Sequence, residues 1–385
     1  MAGTEITPFH VAVPQAALDD LRDRLDRAGW PSALPGTGDR YGVSEDQVRG
    51  LLRYWRETFD WRAFEARINE FPQFTTEIDG ETIHFLHVRS DRPDATPLVL
   101  THGWPGSVVE FLDVVAPLTA PPAGEPAFHL VVPSLPGIGF GGPTRTPGWG
   151  VDRTARAWVE LMHRLGYRRY LAGGNDGGSM ISPVMGRLDP EGVLGVHVTQ
   201  IYSFPTGDPA EFADLSAEDQ AALGRLQWFQ DTKSAFNVLC SQQPQTLAFA
   251  LADSPVGLLA WNAQLFSATE DPEFVLANIA TYWLTGTASS AIRFYYETAH
   301  ADEPAASPTM VPIGLAMFGA DFRSVRRFAA RDHASIVSWN AYDLVDPDPT
   351  SRDAGDHYAA HQHTATWLAD LRAFAAGRVG SLNRV

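Results

Sequence analysis

The chain has 385 residues, is 44% hydrophobic, and carries 46 acidic against 29 basic side chains, a formal charge of −17. That apolar content supports a core and excludes a disordered chain. The acidic excess leaves no basic surface to neutralise nucleic-acid phosphates or an anionic membrane. The single Cys240 excludes an internal disulfide and a thiolate zinc cluster. Met1 to His10 lacks a charged stretch followed by an apolar one, and no apolar run reaches membrane length, so a cytoplasmic protein is expected. A homodimer stays open.

In chain order, Gln15 to Leu25 has apolar residues at helical spacing, with Pro14 suited to its first turn and Trp30-Pro31 closing the stretch. A second helical pattern covers Glu45 to Phe59. Phe74 to Ile78 and Thr82 to Arg89, joined at Asp79-Gly80, predict a β-hairpin. Pro97 to Thr101 is a short apolar strand running into His102-Gly103-Trp104-Pro105-Gly106. Helix Val108 to Leu118, strand Phe128 to Pro133, helix Thr154 to Leu165, strand Tyr170 to Ala172 and helix Ser179 to Leu188 follow. Strands alternating with helices imply a mostly parallel, doubly wound α/β sheet with sites at the C-terminal strand ends. From Phe204 to Ser307 the pattern is helical and aromatic, and strand Val311 to Phe318 then resumes the alternation. The expected division is an N-terminal segment (1–92), a first core part (93–203), an inserted helical cap (204–307) and a second core part (308–385).

The chemistry concentrates at Gly173-Gly174-Asn175-Asp176-Gly177-Gly178-Ser179, between a strand and a helix. Small residues around one reactive side chain at such a reversal mark a nucleophile elbow, where the backbone is strained and the two elements approach closely. The plain alternative is a Gly-rich turn with Asp176 as a helix cap. A carboxylate nucleophile attacks saturated carbon bearing a leaving group, which points to an epoxide or an alkyl halide. Pro105 biases Trp104 towards an extended backbone, so the N–H groups of Trp104 and Gly177 are candidates for an oxyanion hole. His102 is read as a brace for its loop. The order nucleophile, acid, histidine points to Asp321, at the end of strand Val311 to Phe318, and to His357, which would activate water. Asp343, Asp346 and Asp348 are rival acids, and His361 and His363 rival histidines. His357 and His361, at i and i+4, also have the spacing of a metal pair, but no third ligand stands at a known motif spacing, and no metal or cofactor is expected.

Taken together, these motifs resemble the microsomal-type epoxide hydrolases of the α/β-hydrolase superfamily over essentially the whole chain. The N-terminal segment carries Pro8-Phe9, Asp19-Asp20-Leu21, Trp30-Pro31, Tyr54-Trp55, Phe59-Asp60-Trp61-Arg62 and Phe71-Pro72, and the core carries His102 to Ser107 and Pro133 to Gly137. The cap carries Ala252 to Leu258, Tyr282 to Thr287 and Arg293-Phe294-Tyr295. The chain is also similar to the branch found in enediyne natural-product pathways. The resemblance implies an α/β-hydrolase fold with an N-terminal meander wrapping core and cap. It also implies a covalent aspartyl ester on Asp176, hydrolysed by water activated by the His357–Asp321 pair. Cap tyrosines would donate protons to the epoxide oxygen, and Tyr295 matches one of them. Tyr296 is read as a packing residue.

The chain departs from that pattern in four places. Asp321 stands where many relatives have Glu. The second tyrosine position falls on Phe236, which has no proton to give; either one phenol suffices or Asn237 or Gln242 substitutes. Gly177 stands where relatives often carry a bulky aromatic, which predicts a larger pocket floor and a bulky, polycyclic secondary metabolite. The loop Asp343 to Asp356 is long and acidic. Trp104, Phe236, Asn237 and Tyr295 are thus the expected substrate contacts. The competing readings are an epoxide-opening coupling enzyme or cyclase, a non-catalytic binder of a hydrophobic metabolite, and a dehalogenase.

Overall fold

A computed structural model describes residues 5–32, 34–301, 307–319, 321–342 and 356–379. Its strands are β1 (Thr7–Phe9), β2 (Gln73–Ile78), β3 (Glu81–Val88), β4 (Thr96–Thr101) and β5 (Phe128–Pro133). They continue with β6 (Tyr170–Gly174), β7 (Val193–Val198), β8 (Ile313–Phe318) and β9 (Ile336–Tyr342). Among the described residues these form one sheet in the order β1-β2-β3-β5-β4-β6-β7-β8-β9. The β1, β2, β3 and β5 pairings are antiparallel, and every pairing from β5 through β4 to β9 is parallel. The parallel centre is apolar because helices cover both faces: Leu98, Val99, Leu171, Ala172, Val196 and Leu315 are fully buried. The predicted hairpin is β2–β3, and its turn places Asp79 and Gly80 at φ of 50° and 81°, the backbone such two-residue turns require.

The N-terminal helices are α1 (Gln15–Asp26), α2 (Glu45–Glu57) and α3 (Trp61–Ile68). Asn69 pins this segment by accepting from Val11 N–H at 2.9 Å and donating to Val11 C=O at 2.8 Å. Beside the sheet lie α4 (Leu112–Thr119), α5 (Val151–Arg164) and α6 (Gly177–Leu188). The stretch before α4, Val108–Phe111, is a 3₁₀ turn capped by Ser107 rather than the α-helix the periodicity predicts.

Between β7 and β8 come α7 (Ala217–Thr232), α8 (Ala235–Gln242), α9 (Pro244–Asp253), α10 (Pro255–Ala263), α11 (Pro272–Leu284), α12 (Ala288–Ala291) and α13 (Arg293–Ala299). The C-terminal helices are α14 (Arg326–Asp332), α15 (Ala359–Gln362) and α16 (Thr364–Val379). Helices α1 and α2 pack on α10 and α11, and Arg24 donates to the Asp253 carbonyl at 2.9 Å. Helix α11 is buried from Phe274 to Tyr282 and is tied to the loop after β4, where Ser107 Oγ donates to Asn278 Oδ1 at 2.7 Å. Helix α7, by contrast, buries no residue. Among the described residues no helix is long and apolar enough to cross a membrane.

Strand β4 connects to β5 on one side and β6 to β7 on the other. The chain therefore diverges at the C-terminal ends of β4 and β6, and open parallel sheets form their ligand crevice at such a point.

Candidate active site

Asp176 occupies that crevice with φ 50° and ψ −116°, a strained backbone for a residue with a Cβ, costing about 1–3 kcal/mol. The neighbouring glycines make the turn possible. A Cβ on Gly178 would lie 1.8 Å from the Thr101 carbonyl oxygen, and one on Gly103 would lie 2.0 Å from Asp176 Oδ1. Gln200, two residues past β7, accepts from Asp176 N–H at 2.9 Å and so holds the strained residue in place.

The carboxylate lies inside the crevice. Trp104 N–H donates to Oδ1 at 3.0 Å, and Gly177 N–H also bonds the carboxylate. The two backbone donors predicted to form an oxyanion hole therefore hold an oxygen of Asp176 itself. Oδ2 faces His357 Nε2 at 3.9 Å, and the side chains of Asp176 and His357 are 25% and 26% exposed, open enough for a small molecule to reach. His357 Nδ1 bonds Asp321 Oδ1 at 3.0 Å, and Asp321 Oδ2 accepts from Gln200 Nε2.

Charges are set by these contacts. Burial raises the Asp176 carboxyl above its usual range, although His357 and the two N–H groups pull the other way. Burial also works against a charged Asp321, but His357, Gln200 and a backbone N–H outweigh it and hold Asp321 low. For His357 burial opposes the charge, yet Asp321, Asp176 and Glu110 together raise it to about 10. Two carboxylates pushed in opposite directions around one imidazole is a division expected of reacting groups.

The facing wall is aromatic. Trp104 stacks on Phe236 at 5.6 Å and meets Tyr295 edge-on at 5.6 Å, while Phe236 meets Tyr295 at 5.8 Å. Tyr295 and Phe236 thus stand side by side over the crevice. Burial, then the Asp176 charge, pushes the Tyr295 phenol well above its usual value, so it keeps its proton.

Two expectations on this side need correction. Asn237 is exposed and accepts from Ser241, and Gln242 is exposed, because α8 turns Phe236 inward and carries these amides away. Neither can replace the missing phenol. Tyr296, read as a packing residue, is 38% exposed and stacks on His300 at 4.1 Å. The space beside Gly177 is taken by Phe294, whose ring carbons would lie 3.5 Å from a Cβ there, so no open floor results.

The rival residues are dispersed. Asp343, Asp346, Asp348 and most of the acidic loop lie outside the described residues. His361 bonds Asp113 at 2.6 Å and His363 bonds Asp356, so His357 and His361 turn to different carboxylates. His102 is fully buried; its Nδ1 donates to Gly103 C=O and its Nε2 accepts from Leu135 N–H, which makes it a brace.

Sequence reasoning missed Gln200, Glu110, Phe294 and Tyr202. Tyr202 follows Gln200 closely and packs at 4.9 Å on Phe322, the neighbour of Asp321. Burial, with the charges of Asp176 and Asp321, raises its phenol well above the usual value. The only signal for these residues was their nearness in sequence to a strand end or a quoted motif.

Residues 6–111 match the family described as "Epoxide hydrolase N terminus", and residues 96–239 match "alpha/beta hydrolase fold". A Stigmatella aurantiaca protein named "Putative epoxide hydrolase" is 40% identical over 95% of this chain and 84% of its own length. "Epoxide hydrolase 1" of Sus scrofa is 29% identical over 96% of this chain and 88% of its own. The solved Aspergillus niger epoxide hydrolase superposes with a TM-score of 0.82 at 31% identity, covering 97% of each chain. An aspartate elbow facing an imidazole–carboxylate pair, on a sheet shared end to end with such relatives, settles the kinship: the chain belongs to the microsomal-type epoxide hydrolase family, on the α/β-hydrolase fold.

Proposed function

We propose that this epoxide hydrolase opens a hydrophobic epoxide in two covalent steps, with Asp176 as nucleophile, His357 and Asp321 as the base pair, and Tyr295 as proton donor. The helices between β7 and β8 serve as the cap that carries Tyr295. In the first step Oδ2, the oxygen not held by Trp104 N–H, attacks an epoxide carbon; the ring C–O bond breaks and the Tyr295 proton passes to the ring oxygen. Oδ1 becomes the ester carbonyl oxygen, already seated against backbone N–H groups where negative charge next develops.

Esterification removes one of the negative charges that raise His357, so the imidazole loses its proton to solvent and can act as a base, taking one back from solvent once the Asp176 carboxylate is restored. Water then gives a proton to His357 Nε2 as its oxygen bonds to Asp176 Cγ. The ester C–O bond breaks, the departing diol oxygen takes the proton from His357, and the proton left on the carboxyl group returns to Tyr295. Trp104, Phe236 and Tyr295 favour an apolar, aromatic-faced substrate. The narrower reading, a bulky secondary-metabolite epoxide, rests on the resemblance alone, since Phe294 fills the space beside Gly177.

The observation that carries this reading is the 3.9 Å separation of His357 Nε2 and Asp176 Oδ2. It is too long for a direct hydrogen bond and within the span one water can bridge. A single turnover in heavy-oxygen water tests it: label should enter Asp176 and leave the first diol unlabelled. Label in the first diol would exclude the ester. A product without water-derived oxygen after many turnovers would favour coupling or cyclisation, the reading that Phe236 in place of a phenol otherwise encourages.

A further inference from the structure

One buried acid beside the site has no task in this scheme. Glu110 closes the 3₁₀ turn after β4, is 1% exposed, and its Oε2 has no close hydrogen-bond partner among the described residues. Asn175 Nδ2 and Tyr358 Oη are likewise buried and without close partners there. Unsatisfied polar atoms are uncommon inside proteins, and a cluster of them beside reacting groups points to a bound water or a catalytic role.

These three converge on one place. A Cβ at Gly106 would lie 3.6 Å from Glu110 Oε2 and 3.0 Å from Tyr358 Cε1, so both side chains flank the same short backbone stretch. The Tyr358 ring meets the His357 ring edge-on at 4.9 Å, and Phe266 and Phe274 pack against Tyr358 at 5.2 Å and 5.0 Å. Asn175 directly precedes the nucleophile. Its Oδ1 is used by Thr199 and Gln200, both at 2.7 Å, which turns its amide nitrogen towards Glu110. The Asn175 amide reaches the Glu110 carboxyl in a loose hydrogen bond that pulls the acid down slightly, and Glu110 also feels the charges of His357, Asp176 and Asp321. Burial, chiefly, raises its carboxyl to about 8, so it is mostly uncharged at neutral pH.

Resting on the ester mechanism proposed above, we infer that Glu110 and Asn175 hold the hydrolytic water and present it to His357 and to the Asp176 ester. The Asn175 amide donates to the water oxygen. One water hydrogen is accepted by Glu110 Oε2 and the other points to His357 Nε2, which leaves one oxygen lone pair free for attack. Three or four partners are what a buried water needs. The unpartnered Tyr358 hydroxyl makes the same pocket polar enough for water to enter. In the step itself the O–H bond facing His357 breaks and its proton moves to Nε2. The oxygen bonds to Asp176 Cγ, and the hydrogen held by Glu110 stays on that oxygen until the ester collapses. An uncharged carboxyl accepts that hydrogen without adding a negative charge beside the developing oxyanion.

The test separates the two chemical steps, by rapid-quench mass spectrometry of the full-length enzyme with styrene oxide as probe. Glu110→Leu should slow ester hydrolysis about 10- to 100-fold, so that ester accumulates, while ester formation changes less than about threefold. Glu110→Gln, which keeps an acceptor oxygen, should recover most of the hydrolysis rate. A purely structural role would lower both steps together or leave both unchanged, and either outcome overturns the inference. A high-resolution crystal structure of the wild type gives a second test that needs no variant to fold. A water within hydrogen-bond reach of Glu110 Oε2 and Asn175 Nδ2 is expected, and a dry pocket overturns the assignment. Absence of any ester in both the wild type and His357→Gln would instead overturn the two-step mechanism itself, and this inference with it.

Discussion

The two walls of the site are built differently. On the sheet side the two carboxylates are each held by several partners: Asp176 by Trp104, Gly177 and Gln200, and Asp321 by His357 and Gln200. On the helical side the contacts are between rings, Trp104 with Phe236 and Tyr295, and Tyr295 brings the one phenol among these three. The polar wall fixes where charge moves, because directional bonds to the carboxylates leave them little freedom. The aromatic wall fixes what fits, because ring packing is tolerant of shape. Chemistry and selectivity are thereby assigned to different halves of one cleft.

Substitutions on each wall should sort accordingly. Asp176→Asn should abolish ester formation, a loss of at least about 10⁴-fold; residual ester by mass spectrometry would break the comparison at its centre. His357→Gln should form the ester and slow its hydrolysis about 10³-fold, and a variant that accumulates no ester under turnover would contradict the roles. On the aromatic wall, Tyr295→Phe should slow ester formation about 100-fold and spare hydrolysis. Unchanged burst kinetics would move the proton donor elsewhere, with Tyr202 the next phenol to test. Phe236→Tyr should speed ester formation by no more than about tenfold, and a slower burst would show that Trp104 needs the bare ring.

The smallest effect is on stability. His357 is raised to about 10 in the fold, above its unfolded value of about 6.5. Its contribution is therefore complete below pH about 6.5 and is lost as pH rises through about 10. Asp321→Asn should flatten that decline in urea titrations between pH 7 and 10; an identical slope would mean the pair does not carry the shift.

Sequence showed the polar wall better than the aromatic one. Asp176 was legible because its turn tolerates only small neighbours, and Asp321 and His357 because chain order and a strand end restrict the choices. Gln200 was not, since its value comes from β7 lying beside β6, and the short run Val193–Val198 did not stand out as a strand. Glu110 was masked by the apolar pattern around it, which read as a continuous helix. Asn237 misled because adjacent residues on a helix face different ways, and the inward face of α8 was set by tertiary packing. Phe294 beside Gly177 shows the same limit: the space next to one position is filled by a side chain far along the chain.

Among the elbow glycines, one differs from the rest. Side chains at Gly103, Gly174 and Gly178 would strike Asp176, the Thr101 carbonyl or the turn's own backbone, whereas one at Gly177 would meet the Phe294 ring and the Gly103 Cα at ordinary contact distance. An engineer seeking a different substrate range thus has a single adjustable pair, 177 and 294, whose bulk can be traded from one partner to the other while the reactive turn keeps its shape.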